Sequence, residues 1–487
     1  MRKTGLVYIN GKRHEIGAQH ASTMLADYLR LDAGLTGTKI VCAEGDCGAC
    51  TVLRAFPAQK SSTKNSPAYL PVNSCIMTMA QLDGSSLVTV DALASEDVQT
   101  NKLTPVQNSM MKCHGSQCGF CTPGFVMALT GLVEKKLCSK LPTAIGDKEA
   151  KNATTGNLCR CTGYQPIIEA AVDIDVKSCE SVEKKFSSRM QTSELKKAAS
   201  EPLTLESESF GFYAPTKMRD AVAYLKRHPE TRLIAAATDM GVFHNKWKKR
   251  LDRVLSLHLV PELFEIKTLK SGEISVGSRV SLSELREFVK TKVPEFARFL
   301  DLFASPQIKN VATLIGNVAN ASPIADTPPF LLVSNAVVSV VGPTGTREIP
   351  IEKFFLGYRK IALAKGELIT SIRFSAMAKN ERLSLKKVSE RKDLDISAVN
   401  AAFRMRLDKK SITEVKIAFG GIAATPVRLL KTEKVLIGKK IDSNLIASAV
   451  ATLQSEIAPI ADVRGTAAFR RVLAENLVRR FLSEAAE

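Results

Sequence analysis

Cys42, Cys47 and Cys50 stand in a Cys-x4-Cys-x2-Cys run, and Cys75 follows at a distance. With this plant-type spacing four thiolates hold a 2Fe-2S cluster, a carrier of single electrons. Zinc ligands come instead as two short hooks, whereas here three thiols crowd one loop and a lone fourth returns later. Gly45 and Gly48 sit inside the loop. They permit backbone angles that turn amide N–H groups toward sulfur, and such donors stabilise a charged cluster and tune its potential.

A second set follows, in which Cys113, Cys118 and Cys121 repeat the first spacing while Cys159 and Cys161 lie further on. Thr122-Pro123-Gly124 and the apolar run Phe125 to Val133 predict a helix beginning just after Cys121, with proline in its first turn. Gln165-Pro166 before Ile167 to Val172 predicts another just after Cys161. Helix N-termini favour anionic groups, and two equivalent pairs make a symmetric site. Cys118, Cys121, Cys159 and Cys161 are therefore the expected ligands. Of eleven cysteines this leaves Cys113, Cys138 and Cys179 as structural or exposed thiols, and His114 as a structural hydrogen-bonding residue.

The elements that must position these thiols are readable in outline. Leu6 to Ile9 and Arg13 to Ile16 flank Asn10-Gly11, a strong hairpin signal, and Met24 to Leu31 has helical spacing, which predicts a small β-rich ferredoxin-like domain. Residues 104 to 172 predict a helical bundle interrupted by cysteine loops. Lys177 to Ser209 is rich in Ser, Glu and Lys, and reads as an exposed linker. Arg232 to Gly241 reads as a buried strand entering a turn, with Thr238 or Asp239 poised to cap backbone amides; no Gly-x-Gly-x-x-Gly accompanies it. The segment Asp462 to Phe481 carries the apolar stripe of a terminal helix.

At 487 residues the chain is long enough for three or four domains. Its 68 basic against 49 acidic residues give a net charge of +19. The basic residues are scattered, without an RNP string, zinc finger or basic heptad, so a nucleic-acid partner is not expected; the positive field suits an anionic dinucleotide. The first residues turn polar at Asn10 and no apolar run reaches spanning length, so neither a secretory segment nor a membrane span is expected. Cysteines grouped as metal hooks fit the reducing cytoplasm.

The strings Cys42-Ala-Glu-Gly-Asp-Cys-Gly-Ala-Cys50, Gly115-Ser-Gln-Cys-Gly-Phe-Cys-Thr-Pro-Gly124 and Gly156-Asn-Leu-Cys-Arg-Cys-Thr-Gly-Tyr164 resemble the iron-sulfur region of the molybdenum hydroxylases. Gly316 to Pro329 is similar to that family's FAD domain, and Phe419-Gly-Gly-Ile-Ala-Ala-Thr-Pro426 to its flavoprotein C-terminal domain. The order of parts resembles the small subunits of bacterial xanthine dehydrogenases. The resemblance implies an α+β multidomain chain: a β-grasp ferredoxin-like domain (1–91), a helical 2Fe-2S domain (92–176), the linker (177–206), a PCMH-type FAD-binding domain (207–376) and a CO-dehydrogenase-flavoprotein-like C-terminal domain (377–487).

It further implies two 2Fe-2S clusters, FAD, NAD as acceptor, and a molybdopterin-binding large subunit that hydroxylates hypoxanthine and xanthine, in a hetero-oligomer. No catalytic residue for purine hydroxylation is expected on this chain. By resemblance Leu233-Ile234-Ala235-Ala236-Ala237-Thr238-Asp239-Met240 lines the FAD pyrophosphate. Relatives usually carry glycine where Ala236 and Ala237 stand, which makes a positive φ there harder. Thr313-Leu314-Ile315-Gly316-Asn317 would contact phosphate or ribityl groups, Asp326 would accept a hydroxyl hydrogen bond, Phe303 would face an aromatic ring, Ile369 would pack on the cofactor and Lys386 would pair with its charge. Tyr358 matches a position on the nicotinamide side and Gln117 one near the pterin; Asp393 and Asp395 are left undivided as nicotinamide contacts. The same modules also suit an aldehyde, carbon monoxide or aromatic hydroxylase, or a stand-alone iron-sulfur flavoprotein.

Overall fold

The structure is a computed structural model that describes residues 1–58, 67–94, 102–139, 143–248 and 251–486. The chain folds as two compact units: Met1–Pro261 with Ser305–Ala312, and Glu262–Ala304 with Thr313–Glu487.

In the first unit the strands Gly5–Ile9 and Lys12–Ile16 form the expected hairpin, with Asn10 at φ 54° and Gly11 at φ 78°. Two central residues with positive φ match the right-handed twist of the flanking strands. The sheet runs Lys12–Ile16, Gly5–Ile9, Ser85–Val88, Thr51–Ala55, Leu70–Asn73, with Gly5–Ile9 parallel to Ser85–Val88. The helices Pro105–Lys112, Thr122–Cys138, Asp147–Thr154 and Gln165–Asp173 pack beside it around Phe125, Leu129, Ile167 and Ala171. A second sheet orders Leu203–Glu206, Gly211–Ala214, Arg253–Ser256, Arg232–Ile234, its last three strands parallel and joined through the helices Met218–Arg227 and Thr238–Trp247.

The exposed linker expected over 177–206 is not what forms. Helices Val182–Phe186 and Arg189–Ala199 and the strand Leu203–Glu206 occupy it. Gln191, Leu195, Ala198 and Ala199 are buried at helical spacing, and Leu195 and Ala198 cover Leu6 and Tyr8 on one face of the first sheet. Alanine and glutamine make an apolar stripe that a Ser, Glu and Lys-rich composition conceals. The buried Glu134 carboxylate anchors the preceding helix, accepting from Ser181 Oγ at 3.2 Å and from the Val182 amide.

In the second unit an antiparallel sheet orders Ile266–Thr268, Glu273–Gly277, Leu368–Ser375, Val337–Gly342, Gly345–Pro350. Phe296 and Phe330 stack at 3.8 Å over it and meet Phe374 edge-on. A further antiparallel sheet, Glu381–Val388, Val399–Asp408, Ser411–Gly420, Val427–Arg428, packs against helices Leu430–Leu436, Ser443–Glu456 and Ala467–Ala486. The terminal helix buries Ala474, Val478, Phe481, Leu482 and Ala485 on one stripe, and Phe403 stacks on Phe481 at 4.6 Å. Among the described residues no helix is long and apolar enough to cross a membrane.

Candidate functional site

The loop 42–50 brings the first four thiols together. Cys47, Cys50 and Cys75 are buried and Cys42 half-buried. Gly45 and Gly48 both take positive φ, at 76° and 66°. The turns they allow aim the amides of Glu44 and Cys47 at Cys42 Sγ, at 3.5 and 3.4 Å. The thiols of Cys47 and Cys75 donate to Cys42 and hold it far below the ordinary thiol range. Sharing that proton, and burial after it, push Cys47 and Cys75 far up. Four sulfurs this close ionise together only around positive charge, which bound iron supplies.

The second four meet as two pairs at the two helix entrances. Cys118 and Cys161 Sγ are 3.4 Å apart and exposed, while Cys121 contacts the buried Cys159. Burial, then donation to Cys159, pushes the Cys121 thiol up to about 12. The Tyr164 hydroxyl accepts from the Cys159 amide at 3.0 Å, and the Thr162 amide donates to Cys159 Sγ at 3.5 Å. Cys113 ends its helix beside Asp173 and Lys112, with Glu169 nearby. Among the described residues no group of three or more His, Cys, Asp or Glu is set to hold a metal ion as the side chains stand. Paired sulfurs fit a two-iron cluster held by four thiolates.

The two cysteine loops touch. The Leu158 amide, next to Cys159, donates to the Cys47 carbonyl at 2.9 Å. A Cβ at Gly48 would come within 2.2 Å of the Gly156 carbonyl, and one at Gly124 within 2.3 Å of the Gly48 carbonyl. Only glycine lets these backbones approach so closely.

Behind the first quartet, Arg232–Ile234 leads into the helix Thr238–Trp247. Its N-cap is Ala237, at φ 57° and ψ 19°, so neither Thr238 nor Asp239 takes the capping position expected of it. The expected turn is held from the cluster side. Gln81 Nε2 donates to the Ala236 carbonyl at 3.2 Å, and Asn245 Nδ2 to the carbonyls of Ala43 and Cys75 at 2.8 and 2.7 Å. Gly241 lies on Ile76, where a Cβ would meet the carbonyl at 2.3 Å. Leu233, Ala235, Ala236, Ala237, Thr238 and Met240 are half-buried, Asp239 is exposed and Ile234 is core.

The remaining expected flavin residues lie in the second unit. Thr313 caps the helix Leu314–Ala319, its hydroxyl accepting from the Gly316 amide at 2.9 Å. Leu314 and Ile315 are buried, and Asn317 Oδ1 accepts from Thr327 Oγ1 at 2.6 Å. Phe303 is half-buried at the end of Pro294–Leu302. Ile369 is buried within its strand, opposite Val340. Asp326 is buried and held by three side chains: Lys387 Nζ donates to Oδ2 at 2.6 Å, and Ser397 Oγ and Asn400 Nδ2 donate to Oδ1 at 2.6 and 3.0 Å. Lys386, expected to pair with the cofactor, stands 3.9 Å from Glu484. Adjacent strand residues point to opposite faces, and it is Lys387 that reaches Asp326. Tyr358 is exposed on the ribbon Phe355–Gly357 and Lys360–Ile361, and Gln117 is exposed beside Cys118. Asp395 accepts from the Arg391 and Ile396 amides, both at 3.0 Å, and Asp393 from the Leu394 amide at 2.9 Å.

Four family descriptions match in order: a 2Fe-2S iron-sulfur cluster binding domain over 7–80, a [2Fe-2S] binding domain over 89–172, the FAD binding domain in molybdopterin dehydrogenase over 208–375, and the CO dehydrogenase flavoprotein C-terminal domain over 385–485. This order of parts is that of two 2Fe-2S domains, the FAD domain of a molybdopterin dehydrogenase and a CO dehydrogenase flavoprotein C-terminal domain. It is 31% identical to xanthine dehydrogenase 1 of Arabidopsis thaliana over 94% of its own length and 38% of that relative's. To the xanthine dehydrogenase of Drosophila subobscura it is 31% identical, over 97% of this chain and 38% of the relative. It thus spans about 38% of the length of these curated relatives.

Among solved structures, carbon monoxide dehydrogenase from Hydrogenophaga pseudoflava lacking the Mo-pyranopterin moiety aligns with a TM-score of 0.54 and 25% identity, over 57% of this chain and 96% of that one. Quinoline 2-oxidoreductase from Pseudomonas putida 86 shares the fold, with a TM-score of 0.53 and 24% identity over 58% of this chain and 98% of that one.

Sequence reasoning missed the residues that brace these loops: Gln81 and Asn245 around the turn before Thr238–Trp247, Lys387, Ser397 and Asn400 around Asp326, and Asn157 and Gln307 between the cysteine loops. The doublet Lys386-Lys387 was the one visible signal for Lys387, because only one of two neighbours on a strand can face the loop. The others are single amides without a motif.

Proposed function

We propose that this chain is the small subunit of a xanthine dehydrogenase, passing electrons from hypoxanthine and xanthine oxidation on a molybdopterin-binding large subunit through two 2Fe-2S clusters to FAD and on to NAD. The carrying observation is the Leu158 to Cys47 hydrogen bond, which joins the two cysteine loops directly. When bound, the clusters take electrons singly, while the flavin takes up two and gives them on as a hydride.

The chain's own residues give that traffic a direction. Cys118 and Cys161 present an exposed edge with Gln117 beside it, the side on which a partner would dock. Cys47, Cys50 and Cys75 are buried, which keeps water from the first quartet. Gln81 and Asn245 fasten the nucleotide turn and its helix to that quartet's loops. The first amides of the helix Thr238–Trp247 suit a pyrophosphate. Lys387 orients the Asp326 carboxylate at 2.6 Å, with acceptor capacity left for a ribityl hydroxyl.

Xanthine dehydrogenase is favoured over a carbon monoxide or quinoline enzyme by coverage. The xanthine dehydrogenase relatives align over 94% to 97% of this chain, through cysteine and flavin parts alike, whereas the aligned chains of the solved neighbours account for only 57% to 58% of it. We divide the chain at 91, 176, 206 and 376, and place it in the cytoplasm on its thiol content. Purification with its native partners, with iron, flavin and molybdenum determined beside xanthine-dependent NAD reduction, tests the reading. Turnover of an aldehyde or carbon monoxide but not xanthine would overturn the substrate; an active, fully metallated chain without a molybdenum partner would overturn the subunit role.

A further inference from the structure

Ser305–Ala312 lies in the FAD-domain sequence, yet it belongs to the first unit. It forms a short helical turn, Pro306–Lys309, capped by the Ser305 hydroxyl, which accepts from the Ile308 amide at 3.2 Å. Its side chains fasten it to both stretches that carry the first quartet. Gln307, fully buried, donates through Nε2 to Thr51 Oγ1 at 3.2 Å, next to Cys50, and to Asn157 Oδ1 at 2.8 Å. Thr51 Oγ1 donates in turn to the Gly48 carbonyl at 2.6 Å, so the Gln307 atom facing it must be the donor. Asn310 Nδ2 donates to the Pro71 carbonyl at 2.8 Å, in the strand Leu70–Asn73 that leads to Cys75.

Between these two ties sits Ile308. It packs on the core of Ala26, Cys50, Cys75 and Ile76. A Cβ on Gly45 would stand 3.1 Å from its Cδ1 and 2.8 Å from that of Ile76. Gly45 is thereby buried, although its neighbours Glu44 and Asp46 in the same loop are exposed. Asn73 holds this glycine from the other stretch, donating to its carbonyl at 2.7 Å. The turn is pressed in tightly: a Cβ at Gly156 would meet Gln307 Oε1 at 2.1 Å and Ser305 Cβ at 2.7 Å. Among the described residues that Oε1 has no hydrogen-bond partner. A buried carbonyl left unpaired costs stability, so the other contacts of the turn hold it in place.

We propose that Ser305–Ala312 is a clasp for the first cluster: Gln307 and Asn310 fix the turn across the two ligand-bearing stretches, Ile308 seals Gly45, and iron leaves this centre only when the turn lifts. This rests on reading the first quartet as a 2Fe-2S site. Gln307 and Ile308 are positioning residues, since they act through the loop 42–50 and offer no thiolate of their own. A buried site is reached through local opening, and the cost of that opening is set by the contacts that must be broken. A piece of FAD-domain sequence therefore governs how long the first centre keeps its iron. Because Ile308 packs on the first quartet's core, the second centre serves as the internal reference.

The test is loss of iron to the ferrous chelator bathophenanthroline disulfonate, added anaerobically to the dithionite-reduced full chain. The paramagnetic signal of each centre is followed in time, with Cys47→Ser assigning the first. Ile308→Ala removes the seal, Ile308→Leu keeps its volume, and Gln307→Met keeps size but removes both donated bonds. The first centre should lose iron at least about fivefold faster in Ile308→Ala and in Gln307→Met, because lost packing or a lost buried hydrogen bond makes local opening easier. In Ile308→Leu its rate should stay within about twofold of wild type. The second centre should change by less than about twofold in Ile308→Ala. If Ile308→Ala is recovered without iron, Ile308→Val, which removes one methyl group, should show the same preference for the first centre at a smaller factor. An unchanged first centre in the Ile308 or Gln307 variant, equal acceleration of both centres by the Ile308 variant, or Ile308→Leu as fast as Ile308→Ala would overturn the proposal. Wild-type protein without two paramagnetic iron centres would defeat the cluster reading itself, and this proposal with it.

Discussion

Ala237 holds a left-handed conformation, at φ 57° and ψ 19°, at the start of the helix Thr238–Trp247. An L-residue there costs roughly 1–2 kcal/mol, because its Cβ crowds the following carbonyl. Ala237→Gly removes that strain but adds back about 0.4–1 kcal/mol of unfolded-chain freedom. The expected balance is a gain of about 0.5–1 kcal/mol in the local stability of the turn and helix. Ala236 lies outside the left-handed region, so Ala236→Gly should instead lose about 0.5–1 kcal/mol. Hydrogen exchange of the amides over 238–247 reads this locally, where global unfolding of a two-unit chain would blur it. Protection should rise about two- to fivefold in Ala237→Gly and fall by a similar factor in Ala236→Gly, at 1.4 kcal/mol per tenfold. A fall in both would refute the strain argument and show that the turn tolerates alanine freely.

Leu195→Ala, which uncovers Leu6 and Tyr8, should destabilise the first unit by about 2–4 kcal/mol in chemical denaturation, whereas a residue on an exposed linker would give less than about 0.5 kcal/mol. Lys387→Met leaves the Asp326 charge buried without its cation, at about 3–5 kcal/mol, and should lower the second unit's melting temperature and its FAD content, while Lys386→Met should leave melting unchanged within about 0.5 kcal/mol. Burial pushes Glu381 up, but the Arg404 fork, the Ala378 amide and Arg406 outweigh it and hold the carboxyl below its ordinary 4.5. Since the folded value is the lower one, the stabilisation is fully present above pH 4.5 and is lost as pH falls below it. Acid titration of the second unit's unfolding should therefore show a flatter decline in Glu381→Gln than in wild type.

Short-range chemistry was legible in the sequence, and chemistry assembled across it was not. Cysteine spacing and the prolines after Cys121 and Tyr164 marked both thiol sites, since a helix N-terminus is encoded within a few residues. Asn10-Gly11 set its hairpin for the same reason. The helix Arg189–Ala199 escaped because Ala198, Ala199 and Gln191 carry its buried face without a run of large apolar residues. Ala237 shows a backbone conformation adopted against the residue's own preference, under the hold of Gln81 on Ala236 and of Asn245 on the cluster loops. Gln307 meets Asn157 across 150 positions, and a partnership of that span has no local signature. Lys386 and Lys387 differ only in strand parity, which pairing with Asn400 and Ala401 fixes and composition does not.

The most direct test of the whole account is iron and sulfide analysis of anaerobically purified chain, with its paramagnetic spectrum recorded after dithionite reduction. Two spectroscopically distinct 2Fe-2S signals, one abolished by Cys47→Ser and the other by Cys159→Ser, are the expected result. Bound zinc in place of iron, or a single signal that survives both substitutions, would contradict it.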